Sequence, residues 1–217
     1  MADTAIKMNT QTAGALPDVD GYQRAVKAAF LRPDLPGELR GWIARAHAER
    51  TDQTLHRRTT PTHRSSLQLL WLDPREVHPP HGHHNLISSQ MVLDGQLDAR
   101  EYDRVARVDA DTLLLRLLFD GVTRYGDVVQ ATEAARNVHW FATDDKPCVL
   151  LNFYVHGYQE WTFDPAGSRP RGRKLVDPTL EAQRDGLIVA PELALEVGYR
   201  RFGNRPLSDF PIPQYRP

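Results

Sequence analysis

The 217-residue chain is 41% hydrophobic and 25% charged, enough for one globular domain with a core and short of a second full domain. Its 27 Lys and Arg against 28 Asp and Glu leave a net charge of −1, which projects no long-range field toward nucleic acid or an anionic membrane surface. No apolar run approaches the roughly 20 residues that span a bilayer, and the N-terminal stretch lacks a basic-then-apolar leader pattern. A cytoplasmic protein with neither nucleic-acid nor membrane partners is therefore expected. The single cysteine, Cys148, cannot form an intramolecular disulfide, and between Pro147 and VLLNFYV it reads as a small buried hydrophobe.

In chain order, residues 1–16 are polar and aperiodic and predict a disordered arm. Residues 17–55 carry two helical patterns expected to pack on the outside of a larger body. The first places Tyr22, Val26, Ala29 and Phe30 on one face. The second opens with Asp34 as a cap and Pro36 near the first turn, and spaces Leu39, Trp42, Ile43 and Ala46 helically. From about residue 64 the texture changes to short apolar runs separated by turn signals. Asp94-Gly95 and Asp120-Gly121 read as hairpin turns, since glycine supplies the positive φ that tight turns need. Many short strands at close spacing predict an antiparallel sandwich or small barrel over residues 56–165. The proline-rich residues 166–217 are expected to wrap it or form an edge of the same domain.

Four of the nine histidines fall within HPPHGHH, at His78, His81, His83 and His84. In an extended segment alternate side chains share a face, so His81 and His83 project together, with Gly82 allowing close backbone approach. His78 and His84 fall on the opposite parity. A third imidazole, His139, sits in a later predicted strand, NVHWF. Three neutral imidazoles suit Fe(II), Cu, Ni or Zn and leave coordination positions open. The individual histidines His47, His56, His63, His78 and His84 read as surface or supporting residues, and His156 as a strand-end or cavity-lining one.

The arrangement resembles the cupin superfamily. The first cupin motif is matched by His81, Gly82 and His83 with Gly95 at the following turn, and the second by Gly126, His139 and Asn152. The resemblance covers about residues 56–160. It implies an all-β core, the cupin double-stranded β-helix or jelly-roll barrel, here with an N-terminal helical extension. Ser88 stands where many cupins carry a glutamate ligand, and an all-histidine triad is similar to the cysteine dioxygenase-like (thiol dioxygenase) branch. LHRRTTPTHRSSLQLLWLDPREVHPPHGH resembles that branch's run from a substrate-carboxylate arginine to the metal site, so Arg57 or Arg58 would clamp a carboxylate bidentately. The branch's Ser, His, Tyr relay is here Leu150, Asn152 and Tyr154, so only the tyrosine remains.

The resemblance implies metal ligands His81, His83 and His139, an Fe(II) cofactor with Ni, Cu, Zn or Mn as alternatives, and a small anionic substrate reacting with O2. Tyr154 would donate to oxygen or substrate. Gln90 shares parity with Ser88, and both are candidates for polar contacts in an otherwise apolar barrel. Cupins often pair through sheet edges, which leaves a homodimer open. Two rival functions stand beside the dioxygenase: a non-oxidative metal enzyme (isomerase, lyase or cyclase), and a cupin that binds a small ligand without turnover.

Overall fold

The computed structural model describes residues 19–30, 32, 36–60, 64–83, 86–132, 136–156 and 173–215. The expected arm, the Asp34 cap, His63 and His84 lie outside the described residues. Two helices come first, α1 (Val19–Phe30) and α2 (Pro36–Glu49). Nine strands follow: β1 (Gln53–Thr59), β2 (Arg64–Leu72), β3 (Val77–His83), β4 (Leu86–Asp94), β5 (Gln96–Arg107), β6 (Thr112–Arg124), β7 (Val128–Ala131), β8 (Val138–Thr143) and β9 (Cys148–His156). The C-terminal part adds β10 (Arg173–Val176), β11 (Glu181–Ala182), β12 (Ile188–Leu193), α3 (Leu195–Phe202) and a 3₁₀ turn at Leu207–Asp209.

Strand pairing defines the architecture. β5 pairs with β6, β4 with β7, β3 with β8 and β2 with β9, all antiparallel. A chain that pairs this way is one long hairpin, folded at the β5–β6 connection and rolled up. Cross-links β4–β9 and β5–β8 then join neighbouring arms, giving two facing sheets in the orders β1-β2-β9-β4-β7 and β10-β3-β8-β5-β6-β12-β11. That is the jelly roll, two interlocked Greek keys. The all-β jelly-roll barrel with an N-terminal helical extension is thus the observed fold. β10 and β12 also pair with each other, so the second sheet curls into a ring and hides strand edges that would otherwise invite pairing.

Each sheet buries both faces. The outer face of the first sheet carries Leu67, Leu69, Trp71, Ile87, Met91, Leu151, Phe153 and Val155, packed with Val26, Phe30, Leu39 and Ala46 of the two helices. Alternation turns their neighbours inward, where Leu72, Val92, Cys148 and Leu150 meet Leu97, Ala99 and Phe141 of the second sheet. The far face of the second sheet is covered twice. Tyr102, Leu115, Val138, Val176 and Ile188 pack inside the ring. Trp140 is capped by Phe202 and Phe210, with ring centroids 5.0 Å away in each case.

One turn expected from the sequence is absent. Asp120-Gly121 lies within the 13-residue β6. Gly121 pairs with Ala99, and Asp120 accepts from Arg100 at 2.8 Å, a cross-strand partner that holds the segment extended. Asp94-Gly95 does turn, joining β4 to β5 across the two sheets, with φ +79° at Gly95.

Gly95 and Gly186 share φ +79°, but a Cβ on Gly95 would stand 2.4 Å from the Pro147 carbonyl oxygen whereas one on Gly186 meets nothing within 4 Å. Gly186→Ala is expected to lose about 1–2 kcal/mol of unfolding free energy, the left-handed backbone cost alone. Gly95→Ala is expected to lose distinctly more, since its backbone must also move. Urea unfolding of the two variants measures the difference.

Candidate metal centre

β3 delivers two of the three histidines. Its register against β8 shifts between His78 and His81, a bulge at Pro79-Pro80 where proline could not serve a regular ladder. Beyond the bulge His81 pairs directly with His139, and Gly82 with Val138. His83 follows His81 on the same face. All three imidazoles are buried, at 2%, 7% and 1% exposure for His81, His83 and His139. They face the barrel interior, because His139 alternates with the outward-packed Trp140 and its ring lies 4.5 Å from that of the inward Phe141.

The three rings present nitrogens to one another. His139 Nε2 is 2.9 Å from His83 Nε2 and 2.9 Å from His81 Nε2, and the ring planes meet at 76–82°. His81 Nδ1 lies 2.7 Å from the Pro79 carbonyl, which can only accept, so Nδ1 carries the proton and Nε2 presents a lone pair. Two ligands roughly 2.0–2.1 Å from one ion and at right angles would themselves stand roughly 2.9 Å apart. The triad therefore fits a single transition-metal ion. Among the described residues no carboxylate oxygen joins this group.

The local backbone is braced. Asn137, 1% exposed, donates through Nδ2 to the His83 and Thr132 carbonyls, each at 2.8 Å. A Cβ on Gly82 would come within 2.8 Å of Asn137 Oδ1, so glycine is what lets β3 lie against this residue. His78 is held apart by Glu76, Nε2 to Oε1 at 2.9 Å, and this contact lowers the Glu76 pKa.

Opposite the triad, the inner face of the first sheet grades from apolar to polar. Leu70, Leu150 and Val92 form one cross-strand row, Gln68, Asn152 and Gln90 the next, and Ser66, Tyr154 and Ser88 the one after. Gln90 and Tyr154 thus stand on the barrel-facing side. The two arginines separate: Arg57 pairs with Ser66 and shares that side, whereas Arg58 pairs with Ser65 on the helix-covered side. Arg57 is exposed on the edge strand and reaches Thr54 Oγ1 at 3.5 Å. His56 also falls on the helix side, lining a cleft of about 330 Å³ with Glu38, Trp42 and Arg45, away from the triad.

Glu101 escaped the sequence reading. It pairs with His139 on β5, on the face opposite Tyr102, and is 3% exposed. Arg136, just ahead of β8, donates to its Oε2, while Oε1 has no partner among the described residues. Burial pushes the Glu101 carboxyl above its ordinary pKa, with the Arg136 guanidinium opposing. Within DAREYDRVAR it reads as one charge among many, and only the strand register sets it beside a histidine.

Neither a family profile nor a curated protein sequence matches the chain. Solved structures do resemble it in part. An 11S globulin from Wrightia tinctoria is 16% identical over 43% of this chain and 21% of that one, with a TM-score of 0.32. Pumpkin seed globulin is 17% identical over 44% and 22%, TM-score 0.33. Recombinant oxalate oxidase in complex with glycolate is 18% identical over 44% and 43%, TM-score 0.30. The chain spans less than half the length of each of these proteins. The assignment of the jelly roll rests on the strand pairings above.

Two outcomes are expected here. Asn137→Ala removes one donor from two carbonyls in a buried site and should cost about 2–4 kcal/mol in urea unfolding. Cys148 is fully buried, and burial pushes its thiol up to about 12, so the folded protein should resist iodoacetamide at pH 8 and label fully in denaturant. The same shift means the unfolded chain sheds its thiol proton first. This group's contribution is intact below about pH 8.5 and destabilises folding as pH rises toward 12.

Proposed function

We propose that the chain is a cupin holding one transition-metal ion on His81, His83 and His139, and that it is a mononuclear Fe(II) dioxygenase acting on a small anionic metabolite with O2. The observation that carries this reading is the convergence of three buried imidazole nitrogens at 2.9 Å spacing. Iron bound there would supply redox chemistry with dioxygen. The chain's own residues do the rest. His81, oriented by the Pro79 carbonyl, His83, braced through Asn137, and His139 would hold the ion. The apolar rows around Leu150 and Phe141 exclude water below them.

Three neutral donors leave the ion's two positive charges uncompensated, which favours an anionic substrate group such as a carboxylate, thiolate or enolate. In this reading Arg57, on the barrel-facing side of β1, is the residue assigned to a substrate carboxylate, and Tyr154, on the wall facing the triad, the one assigned to donate a hydrogen bond. With Leu150 and Asn152 standing where the resembled branch has the other members of its relay, the part assigned to Tyr154 is that of a hydrogen-bond donor.

Elemental analysis of protein purified without added metal, followed by anaerobic Fe(II) loading and an oxygen-electrode screen of thiols, diketones and amino acids, tests the assignment. His139→Ala should drop bound iron from one per chain to a trace, while His78→Ala, whose ring is engaged with Glu76, should retain it. Conversion of a substrate under nitrogen would instead identify a non-oxidative enzyme, and tight ligand binding without turnover a binding protein.

A further inference from the structure

Two amide oxygens on the inner wall, Gln90 Oε1 and Asn152 Oδ1, are shut off from solvent and have no donor among the described residues. They are cross-strand neighbours, Gln90 on β4 opposite Asn152 on β9, and Asn152 is 6% exposed. The orientation of Asn152 is set from its other side, since its Nδ2 donates to Gln68 Oε1 at 3.1 Å. The oxygen is thereby the atom left over. Nothing in the closure of the barrel requires amides at this level, for the adjacent inward pair, Val92 and Leu150, packs as plain hydrocarbon.

A buried acceptor without a donor is unfavourable, and two side by side, in the polar half of the barrel, ask for the same thing: an N–H or O–H group brought by a ligand.

We propose that Gln90 and Asn152 are specificity-determining residues, selecting a small acid whose end remote from the metal carries a hydrogen-bond donor, hydroxyl or ammonium, over its unsubstituted aliphatic counterpart. This rests on the reading above for one end only, the anionic group assigned to an ion on the histidine triad. The amides read the other end.

Calorimetric titration of the full chain, with and without one equivalent of zinc, against butyrate, 4-hydroxybutyrate and 4-aminobutyrate separates the two claims. Both donor-bearing acids should bind the zinc-loaded protein about tenfold or more tighter than butyrate. In Gln90→Leu/Asn152→Leu that ratio should fall to about one, with the ligand-free melting temperature held within about 3 °C or raised, as expected when unpaired acceptors are replaced by hydrocarbon. Equal affinity for the three acids in the parent protein, or no binding of any, overturns the proposal without recourse to the variants. So does a preference that survives the double substitution, or a melting temperature that collapses while the preference is kept, which would make the amides structural. If butyrate binds equally with and without zinc, the metal reading fails, whereas the donor preference, being a ratio between acids, still stands or falls by itself.

Discussion

The candidate centre depends on the pairing of β3 with β8. Strands alternate their side chains, so a slip of one residue on either strand would turn an imidazole from the barrel interior to the face that Trp140 occupies. Three features oppose that slip. The bulge at Pro79-Pro80 resets the parity of β3 just before His81. Asn137 ties the segment leading into β8 to the His83 carbonyl, and Gly82 admits the side chain that does so. From the other side of the sheet, Trp140 is clasped by Phe202 and Phe210, so the residue next to His139 has a fixed place of its own.

This bracing is tolerable because the apolar load is carried elsewhere. In a sandwich of two sheets the inner faces ordinarily supply the core. Here the helices cover the outer face of one sheet and the curled edge with the C-terminal helix covers the far face of the other, so three apolar clusters lie outside the chamber. The chamber can then devote part of its wall to Ser66, Gln68, Ser88, Gln90, Asn152 and Tyr154. Polar groups in a core are costly unless they find partners, and a fold with no other source of hydrophobic burial could not carry so many.

The parts legible in the sequence are those set by local geometry. Alternation alone puts His81 and His83 on one face, Gly95 turns where its positive φ is needed, and Val26, Phe30, Leu39 and Ala46 face the core at the helical spacing they display. What escaped depends on partners distant in the chain. Asp120-Gly121 has the composition of a turn, yet Arg100, twenty residues earlier, holds it straight. The choice between Arg57 and Arg58 is made by an irregularity between Thr54 and His56 that sets which of them aligns with Ser66. Glu101 is one acid in a polar strand until the register places it beside His139. The third histidine stands out only as an imidazole inside an apolar predicted strand, and since nothing local to NVHWF distinguishes a ligand from a packed core residue, it is the pairing of β3 with β8 that sets it beside His81.

Charge accounting joins the triad to its surroundings. Neutral imidazoles do not offset a divalent ion, and only a carboxylate in the neighbourhood could do so from outside the coordination shell. Glu101 is near in register, but its negative charge is already shared with Arg136, so the pair contributes little net charge toward the histidines. The position where a strand β4 acid would reach inward is Ser88, which is uncharged. The interior therefore gathers three imidazoles that no carboxylate oxygen joins among the described residues, facing a wall on which Gln90 Oε1 and Asn152 Oδ1 are acceptors without a donor. On the proposed reading the chamber selects by sign at one end and by hydrogen-bond polarity at the other, through side chains fixed to strands whose positions are set by the same ladder that closes the barrel.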